Sequence, residues 1–254
     1  MPYSTLLKRK RPTSTNDSML VNGINISLKV VYEYRKTVSA SMRKNITIRV
    51  PKYLNKTERC RQVLKMKEWL TDQLLRDEAL FLRYKSKQYK SEDVLIIRDV
   101  PFTISISKTD IKHVSARIKN NIILINQPTT IDNGLVHKQT SSQIARQLGA
   151  FFLGVLENKI DYYNDTFFKE TINKISFKNT ISTWGSCSSN QNLNISTRLL
   201  LVPDEVLNYV CVHELAHLKQ LNHSRHFWNL VHDVMPSYKV HMKWLRKHGD
   251  SCRF

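Results

Sequence analysis

Two histidines and a glutamate stand at a spacing that suits metal chemistry. His213 and His217 are four residues apart, so on a helix both imidazoles leave the same face and can bind one ion. Glu214 projects about 100° further round, where it can accept a proton from a metal-bound water without coordinating the ion itself. His-Glu-x-x-His at this spacing predicts a zinc-hydrolase site.

A third histidine completes a set of ligands. His223 follows His217 closely, and Asn222 between them tolerates a left-handed backbone, so we expect the helix to end there and the chain to bend back. A catalytic zinc takes three protein ligands and keeps a fourth position for water. We therefore predict His213, His217 and His223 as Zn²⁺ ligands and Glu214 as the general base. A buried helix would not carry these polar residues without a role, because uncompensated polar groups are costly there, and the apolar residues of this segment are Leu207, Val210, Cys211, Leu215 and Leu218.

The motifs resemble those of the YgjP-like metallopeptidase family, a zincin-type group of predicted metal-dependent hydrolases. The resemblance rests on residues 213–217, 222–224 and 227–228 and on Trp184-Gly185-Ser186-Cys187-Ser188, and it extends from about residue 28 to residue 249. It implies a zincin-like fold, a zinc cofactor and peptide-bond hydrolysis. The position of the third histidine also resembles metzincins, but those have glycine where this chain has Gln220, and no Met-turn is evident.

Hydrolysis also needs a donor that stabilises the oxyanion formed in the transition state. The candidates for substrate binding or oxyanion stabilisation are Trp184, Ser186, Arg198 and Tyr238, with His226 and His241 as further candidate donors. Cys187 raises the alternative of a thiol nucleophile, since the chain is rich in histidine. No catalytic partner stands near it in the sequence, so we interpret Cys187 as a small residue that lines a turn near the zinc.

Composition indicates a soluble chain from a reducing compartment. The cysteines Cys60, Cys187, Cys211 and Cys252 are widely spaced and form no Cys-x-x-Cys pair, which argues against a thiolate zinc site. The N-terminus lacks the apolar run of a signal peptide, and the most apolar helical segment, residues 148–156, is too short to span a bilayer. We expect a cytoplasmic protein without a membrane span.

The formal net charge of +19 is unevenly distributed. Residues 1–136 hold 26 Lys+Arg against 12 Asp+Glu, whereas residues 137–254 hold 14 against 9. An excess of +14 in the first part can attract nucleic acid, nucleotides or an anionic membrane surface. It can equally reflect a lysine-rich proteome that selects no polyanion, and the sequence leaves both interpretations open.

Alternating apolar residues and capping patterns predict an α+β fold. We expect a small N-terminal antiparallel β unit with one helix, and a C-terminal zincin-like domain with a short sheet and the His-Glu-x-x-His helix. Capping-box patterns place helix starts at Asn55 and Thr140, and a turn is expected over 185–190. The predicted domains are a disordered basic tail over 1–19, a basic β-rich region over 20–136 and a hydrolase domain over 137–254. The predicted strands are 24–30, 38–42, 46–50, 94–97, 102–106, 114–118, 122–125, 172–178, 181–184 and 193–199.

The sequence thus favours a zinc-dependent metallopeptidase that uses a zinc-bound water, with a peptide or protein as substrate. One alternative is a metal-dependent nucleoside triphosphate hydrolase, because the same ligands and water suit phosphoanhydride hydrolysis. Another is a nucleic-acid-binding module, in which the basic N-terminal part makes weak nucleic-acid contacts and the zinc site is structural or vestigial. An intact Glu214 argues against a purely structural site, which would normally take four protein ligands.

Overall fold

A computed structural model describes residues 12–42, 45–85, 87–129 and 133–254. The chain divides into two compact units, Met1–Ser86 and Lys87–Phe254. The basic run at residues 8–11 lies outside the described residues. No described helix is long and apolar enough to cross a membrane.

The elements of the first unit are β1 (Thr13–Val21), β2 (Ile24–Glu33), β3 (Ser39–Met42), β4 (Ile46–Pro51), α1 (Lys56–Arg76) and α2 (Glu78–Tyr84).

The first unit is a four-stranded sheet with α1 packed against it. The strand order is β1-β2-β4-β3, with β2 and β4 parallel and the other neighbours antiparallel. Asn22 and Gly23 join β1 to β2 with φ of 48° and 73°, which is the backbone that a two-residue hairpin turn requires. The N-terminus of α1 is capped as predicted, because the Asn55 side chain accepts a hydrogen bond from the backbone N–H of Glu58 at 2.9 Å.

Two expectations for this region are corrected. Residues 13–19 belong to strand β1 rather than to a disordered tail, since Thr13–Val21 pairs along its length with β2 and buries Met19 and Val21. The sheet is mixed rather than antiparallel, because the parallel pairing of β2 with β4 cannot be seen from strand periodicity alone.

The second unit holds two sheets and the remaining helices. Its elements also include a π-helical turn over Asn164–Phe168 and 3₁₀ turns over Thr197–Leu201 and Gly249–Ser251. The strands are β5 (Val94–Ile97), β6 (Val100–Thr109), β7 (Ser115–Lys119), β8 (Ile122–Pro128), β9 (Lys174–Lys178), β10 (Gly185–Cys187) and β11 (Asn192–Ser196). The helices are α3 (Asn133–Phe151), α4 (Leu153–Tyr163), α5 (Asp204–Lys219), α6 (Arg225–Val234) and α7 (Tyr238–His248).

The first sheet of the second unit repeats the architecture of the first unit. Its order is β5-β6-β8-β7, again with the second and fourth strands in sequence parallel and the other pairs antiparallel. Arg98 and Asp99 form its first hairpin turn with positive φ, as Asn22 and Gly23 do in the first unit. A helix follows the fourth strand in both cases, so a four-strand, one-helix motif occurs twice in the chain.

The predicted domain boundary after residue 136 falls inside α3. This helix packs its apolar face, including Ile144 and Leu148, on the sheet residues Phe102 and Ile104. Sheet and helix therefore share one core, and the two compact units separate after residue 86 instead. The helix also begins before the predicted start at Thr140, whose hydroxyl is buried and bonded to the Gln127 side chain at 3.1 Å.

The second sheet of this unit lies against α5. Its order is β10-β11-β9, with β10 antiparallel and β9 parallel to β11. The strand expected over 181–184 instead occupies Gly185–Cys187, within the segment predicted as a turn. The turn follows at Ser188, where Gln191 N–H donates to the Ser188 carbonyl at 2.9 Å. This shift of the strand brings the backbone of residues 185–187 beside α5.

Candidate functional site

Helix α5 carries the first two histidines and the glutamate. It starts after Pro203 with Asp204 and Glu205 in its first turn, where negative side chains complement the helix dipole. It ends at Lys219, and Gln220 closes it by donating its N–H to the Ala216 carbonyl at 2.9 Å. The helix forms the centre of the larger core of this unit, and its buried residues are Val206, Leu207, Tyr209, Val210, Cys211, Val212, Glu214, Leu215 and Ala216.

The turn between α5 and α6 returns His223 to the helix. Asn222 does not adopt the expected left-handed backbone. Its side-chain oxygen instead accepts hydrogen bonds from Gln220 Nε2 at 2.8 Å and from Ser224 N–H at 3.2 Å, which closes the bend. Ser224 then caps α6 by accepting from Phe227 N–H. The bend is therefore made by side-chain hydrogen bonds rather than by a left-handed residue.

The three histidines converge on one point. One ring nitrogen from each of His213, His217 and His223 lies within 4.8 Å of the other two. The Nε2 atoms of His213 and His223 are 3.0 Å apart. Ligands of a tetrahedral zinc with bonds of about 2.0–2.1 Å lie roughly 3.4 Å from one another, so the set needs only a small adjustment to hold such an ion.

The environment keeps His213 and His217 in the form that binds metals. Burial, with His217 and His223 as neighbours, lowers the pKa of His213 to about 3. Burial also lowers the pKa of His217, and the Gln220 carbonyl opposes that shift. The Gln220 oxygen lies 3.1 Å from His217 Nδ1, so Nδ1–H donates to it and Nε2 is left as the acceptor. Neutral imidazoles with a free nitrogen are the metal-binding form.

Phe227 forms a shared wall behind all three rings. Its ring centroid lies 4.9 Å from that of His213, 4.5 Å from His217 and 4.8 Å from His223. It is fully buried, so the histidines pack against an apolar surface that excludes water on that side. In the sequence, Phe227 was noted only through the family resemblance, and its contact with every histidine follows from the position of α6.

Glu214 points from α5 towards β10 and is 4% exposed. The backbone N–H of Cys187 donates a hydrogen bond to its carboxylate. Its Oε2 atom is buried and has no hydrogen-bond partner in the described part of the chain. Burial raises the pKa of Glu214 to about 8, although the hydrogen bond from Cys187 acts in the opposite direction. The site therefore presents a carboxyl group with one oxygen anchored and one available.

The predicted site residue Arg198 is held within the fold. Arg198 is buried and donates to the backbone carbonyls of Ile181, Gly249 and Cys252, so its donors are used within the fold. Its guanidinium lies 4.0 Å from the centre of the Trp184 ring. This arrangement makes Arg198 a link between β10 and the C-terminal residues rather than an oxyanion donor.

The candidate Tyr238 belongs to an aromatic stack behind the third histidine. The Tyr238 ring stacks on Trp228 at 5.2 Å, and Trp228 stacks on His223 at 5.7 Å. Of the other candidates, His241 lies 3.2 Å from the Ser237 hydroxyl, and the exposed His226 is outside the cluster of three histidines. The stack supports the orientation of His223.

Ser186 and Cys187 lie on β10 beside Glu214. The Ser186 hydroxyl accepts a hydrogen bond from Asn194 Nδ2 at 3.3 Å, on the side of the neighbouring strand. Burial, and then the Glu214 carboxylate, raise the pKa of the Cys187 thiol, which disfavours a thiolate. Sequence reasoning placed Cys187 near the zinc but did not predict its backbone N–H against Glu214, because no residue type signals a backbone donor.

Comparison with known proteins identifies a family, and similar solved structures include two metallopeptidase zymogens. A family model described as YgjP-like, metallopeptidase domain, matches residues 10–248. The metallopeptidase zymogen abylysin of Pyrococcus abyssi is similar at 23% identity and a TM-score of 0.34, over 36% of this chain and 93% of that one. The zymogen jannalysin of Methanocaldococcus jannaschii is similar at 19% identity and a TM-score of 0.30, over 35% and 93%. No curated protein matches.

Proposed function

From the premise that this chain belongs to the YgjP-like metallopeptidase family, we propose that it is a zinc-dependent peptidase with Glu214 as general base. The observation that carries the proposal is one geometric arrangement. One ring nitrogen from each of three histidines lies within 4.8 Å of the other two, and the next residue after His213 is a buried carboxyl with an unpartnered oxygen. A metal ligand set beside a proton acceptor is the minimum that metal-assisted hydrolysis requires.

His213, His217 and His223 would hold the ion. Three nitrogen ligands without a fourth protein ligand suit a catalytic rather than a structural zinc, and the described residues offer no other group of three candidate ligands. Bound there, the ion would supply Lewis-acid chemistry: it would lower the pKa of a water to about 7 and polarise the substrate carbonyl. The Gln220 carbonyl fixes the tautomer of His217, and the Trp228 ring supports His223.

Glu214 moves the proton. Its unpartnered Oε2 accepts a proton from the attacking water, and the same carboxyl then donates it to the leaving amine. The Cys187 N–H holds the other side of the carboxylate, so the group does not have to reorganise before the transfer. A pKa near neutrality suits a group that must accept and then release a proton.

The surroundings of the site favour a peptide over a nucleotide. Strand β10 is the edge of its sheet, and an edge strand can pair with an extended peptide through backbone hydrogen bonds. A triphosphate would need cationic donors. The cation predicted for the site, Arg198, is committed to backbone carbonyls, and the rings around the histidines are those of Phe227, Trp228 and Tyr209.

Purified full-length protein tests the proposal directly. We expect about one zinc per chain and cleavage of an unfolded protein or a peptide library, read by mass spectrometry, with no release of phosphate from a nucleotide panel. Glu214→Gln should keep the zinc and lose about 10²- to 10⁴-fold in turnover, because glutamine is nearly isosteric but cannot accept the proton.

One control and two contrary outcomes accompany this test. Removal of zinc by a chelator should abolish cleavage, and added zinc should restore it. Cleavage by Glu214→Gln at the parental rate would reveal a contaminating protease or a different base. Phosphate release from nucleotides, without peptide cleavage by zinc-loaded protein, would overturn the peptidase assignment.

A further inference from the structure

We propose that Gly185 is a positioning residue for the reaction, because the absence of a side chain there lets the Glu214 carboxylate lie against β10 within reach of the Cys187 N–H. The inference rests on the proposed function, since it concerns the base of that reaction. Three features of the molecule bear on it: the space around Gly185, the direction of the backbone groups of β10 and the anchoring of the strand.

The space at Gly185 is already filled by Glu214. A Cβ atom added to Gly185 would overlap Glu214 Oε1 and would lie 2.6 Å from Cγ and 2.7 Å from Cδ. Real Cβ contacts are essentially never shorter than 3.0 Å. Gly185 has no positive φ, so its backbone conformation is open to any residue. Glycine is therefore needed here for the close approach of the carboxylate and not for a turn.

The register of β10 directs its backbone towards the glutamate. Ser196 N–H donates to the Trp184 carbonyl at 2.8 Å, and Ser188 N–H donates to the Asn192 carbonyl at 3.0 Å. Since backbone groups alternate along a strand, Gly185 and Cys187 point theirs away from the neighbouring strand. This puts the Cys187 N–H on the side where it donates to Glu214. Gly185 provides the room and Cys187 provides the donor.

The strand is anchored at its start, so it cannot easily move away to admit a side chain. Arg198 lies against the Trp184 ring at 4.0 Å and donates to the Cys252 carbonyl at 2.7 Å. Gly249 packs so closely on the same ring that a Cβ there would lie 3.1 Å from Cη2. With Trp184 enclosed in this way, a side chain at position 185 would displace the Glu214 carboxylate rather than the strand.

Gly185→Ala tests the proposal. We expect kcat to fall by about 10²-fold or more, because displacement of a catalytic group by about 1 Å can have an effect of that size. KM should stay within about threefold, because alanine keeps the backbone groups of β10 that would pair with a substrate, and zinc should stay at one per chain, because the histidines do not change. Two glycine variants in the same unit serve as controls. Gly149→Ala is also crowded, at 2.8 Å from Thr197 and 3.0 Å from Phe177, whereas Gly154→Ala meets nothing within 4 Å, and both should keep kcat.

A double-mutant cycle separates positioning from general damage. In the Glu214→Gln background, Gly185→Ala should lower turnover by less than about threefold further, because the base through which it acts is already absent. An equal loss in both backgrounds would overturn the proposal. Loss of zinc, or a changed absorption spectrum of the cobalt-substituted variant, would also overturn it, because the glycine would then support the metal site itself.

The Cys187 amide resonance gives a readout that does not depend on activity. It should shift in Gly185→Ala and in Glu214→Gln but not in Gly154→Ala, since only the first two alter its acceptor. An unchanged resonance in Gly185→Ala would overturn the proposal. If the parental protein cleaves no peptide, the proposed function fails, and the amide shift still decides whether Gly185 positions Glu214.

Discussion

Replacing Glu214 by glutamine should stabilise the zinc-free protein at alkaline pH. In the folded chain, burial raises the pKa of this carboxyl from its ordinary 4.5 to about 8. Its ionisation therefore opposes folding. The stability present below pH 4.5 is progressively lost as pH rises towards 8, and the loss is complete above the folded pKa. Glutamine does not ionise, so the variant should lack this dependence.

The structure also sets the size of the effect. At about 1.4 kcal/mol for each pH unit, a pKa moved from 4.5 to about 8 corresponds to roughly 5 kcal/mol. Local relaxation and entry of water reduce this value. We therefore expect the difference in free energy of unfolding between the variant and the parent to be about 3 kcal/mol larger, in favour of the variant, at pH 8.5 than at pH 4.5. Zinc should shrink the difference, because a nearby cation favours the carboxylate.

The assay is urea unfolding of chelator-treated protein at pH 4.5 and pH 8.5. Parent and Glu214→Gln are compared through tryptophan fluorescence, with the m-value checked at both pH values. Glu205→Gln removes an exposed carboxyl from the same helix and should change stability by only about 0.5 kcal/mol. A parent–variant difference that is the same at both pH values would refute the claim that burial of Glu214 governs this part of the stability.

Three further outcomes follow from the site and its supports. His217→Ala should lower bound zinc from about one per chain to near zero by atomic emission, and full occupancy would contradict the ligand assignment. Cys187→Ser should keep turnover within about threefold, because the backbone N–H is retained, whereas a thiol nucleophile would lose orders of magnitude. Arg198→Met should lower the free energy of unfolding by roughly 3 kcal/mol in urea titrations, because it leaves three backbone carbonyls without their donor. A loss below about 1 kcal/mol would show that water replaces the guanidinium as donor.

Local patterns in the sequence were sufficient to predict much of the fold. The alternation of apolar residues located most strands, and the Asn55 cap located the start of α1, because both depend on interactions within a few residues. The strands on either side of Asn120 and Asn121 were likewise predicted, and both asparagines adopt the positive φ that the hairpin turn between these strands requires. The spacing of His213, Glu214 and His217 also followed from helical geometry alone.

The features that only the tertiary structure decided depend on contacts between distant segments. The strand at Gly185–Cys187 was predicted as a turn, since its pairing with β11 and its approach to Glu214 leave no periodic signal in so short a segment. Arg198 was predicted at the site because arginine suits an oxyanion, but the carbonyls that bind it come from the C-terminal residues and from Ile181. Residue type determined which groups could do the chemistry, and packing of remote segments determined which of them face one another.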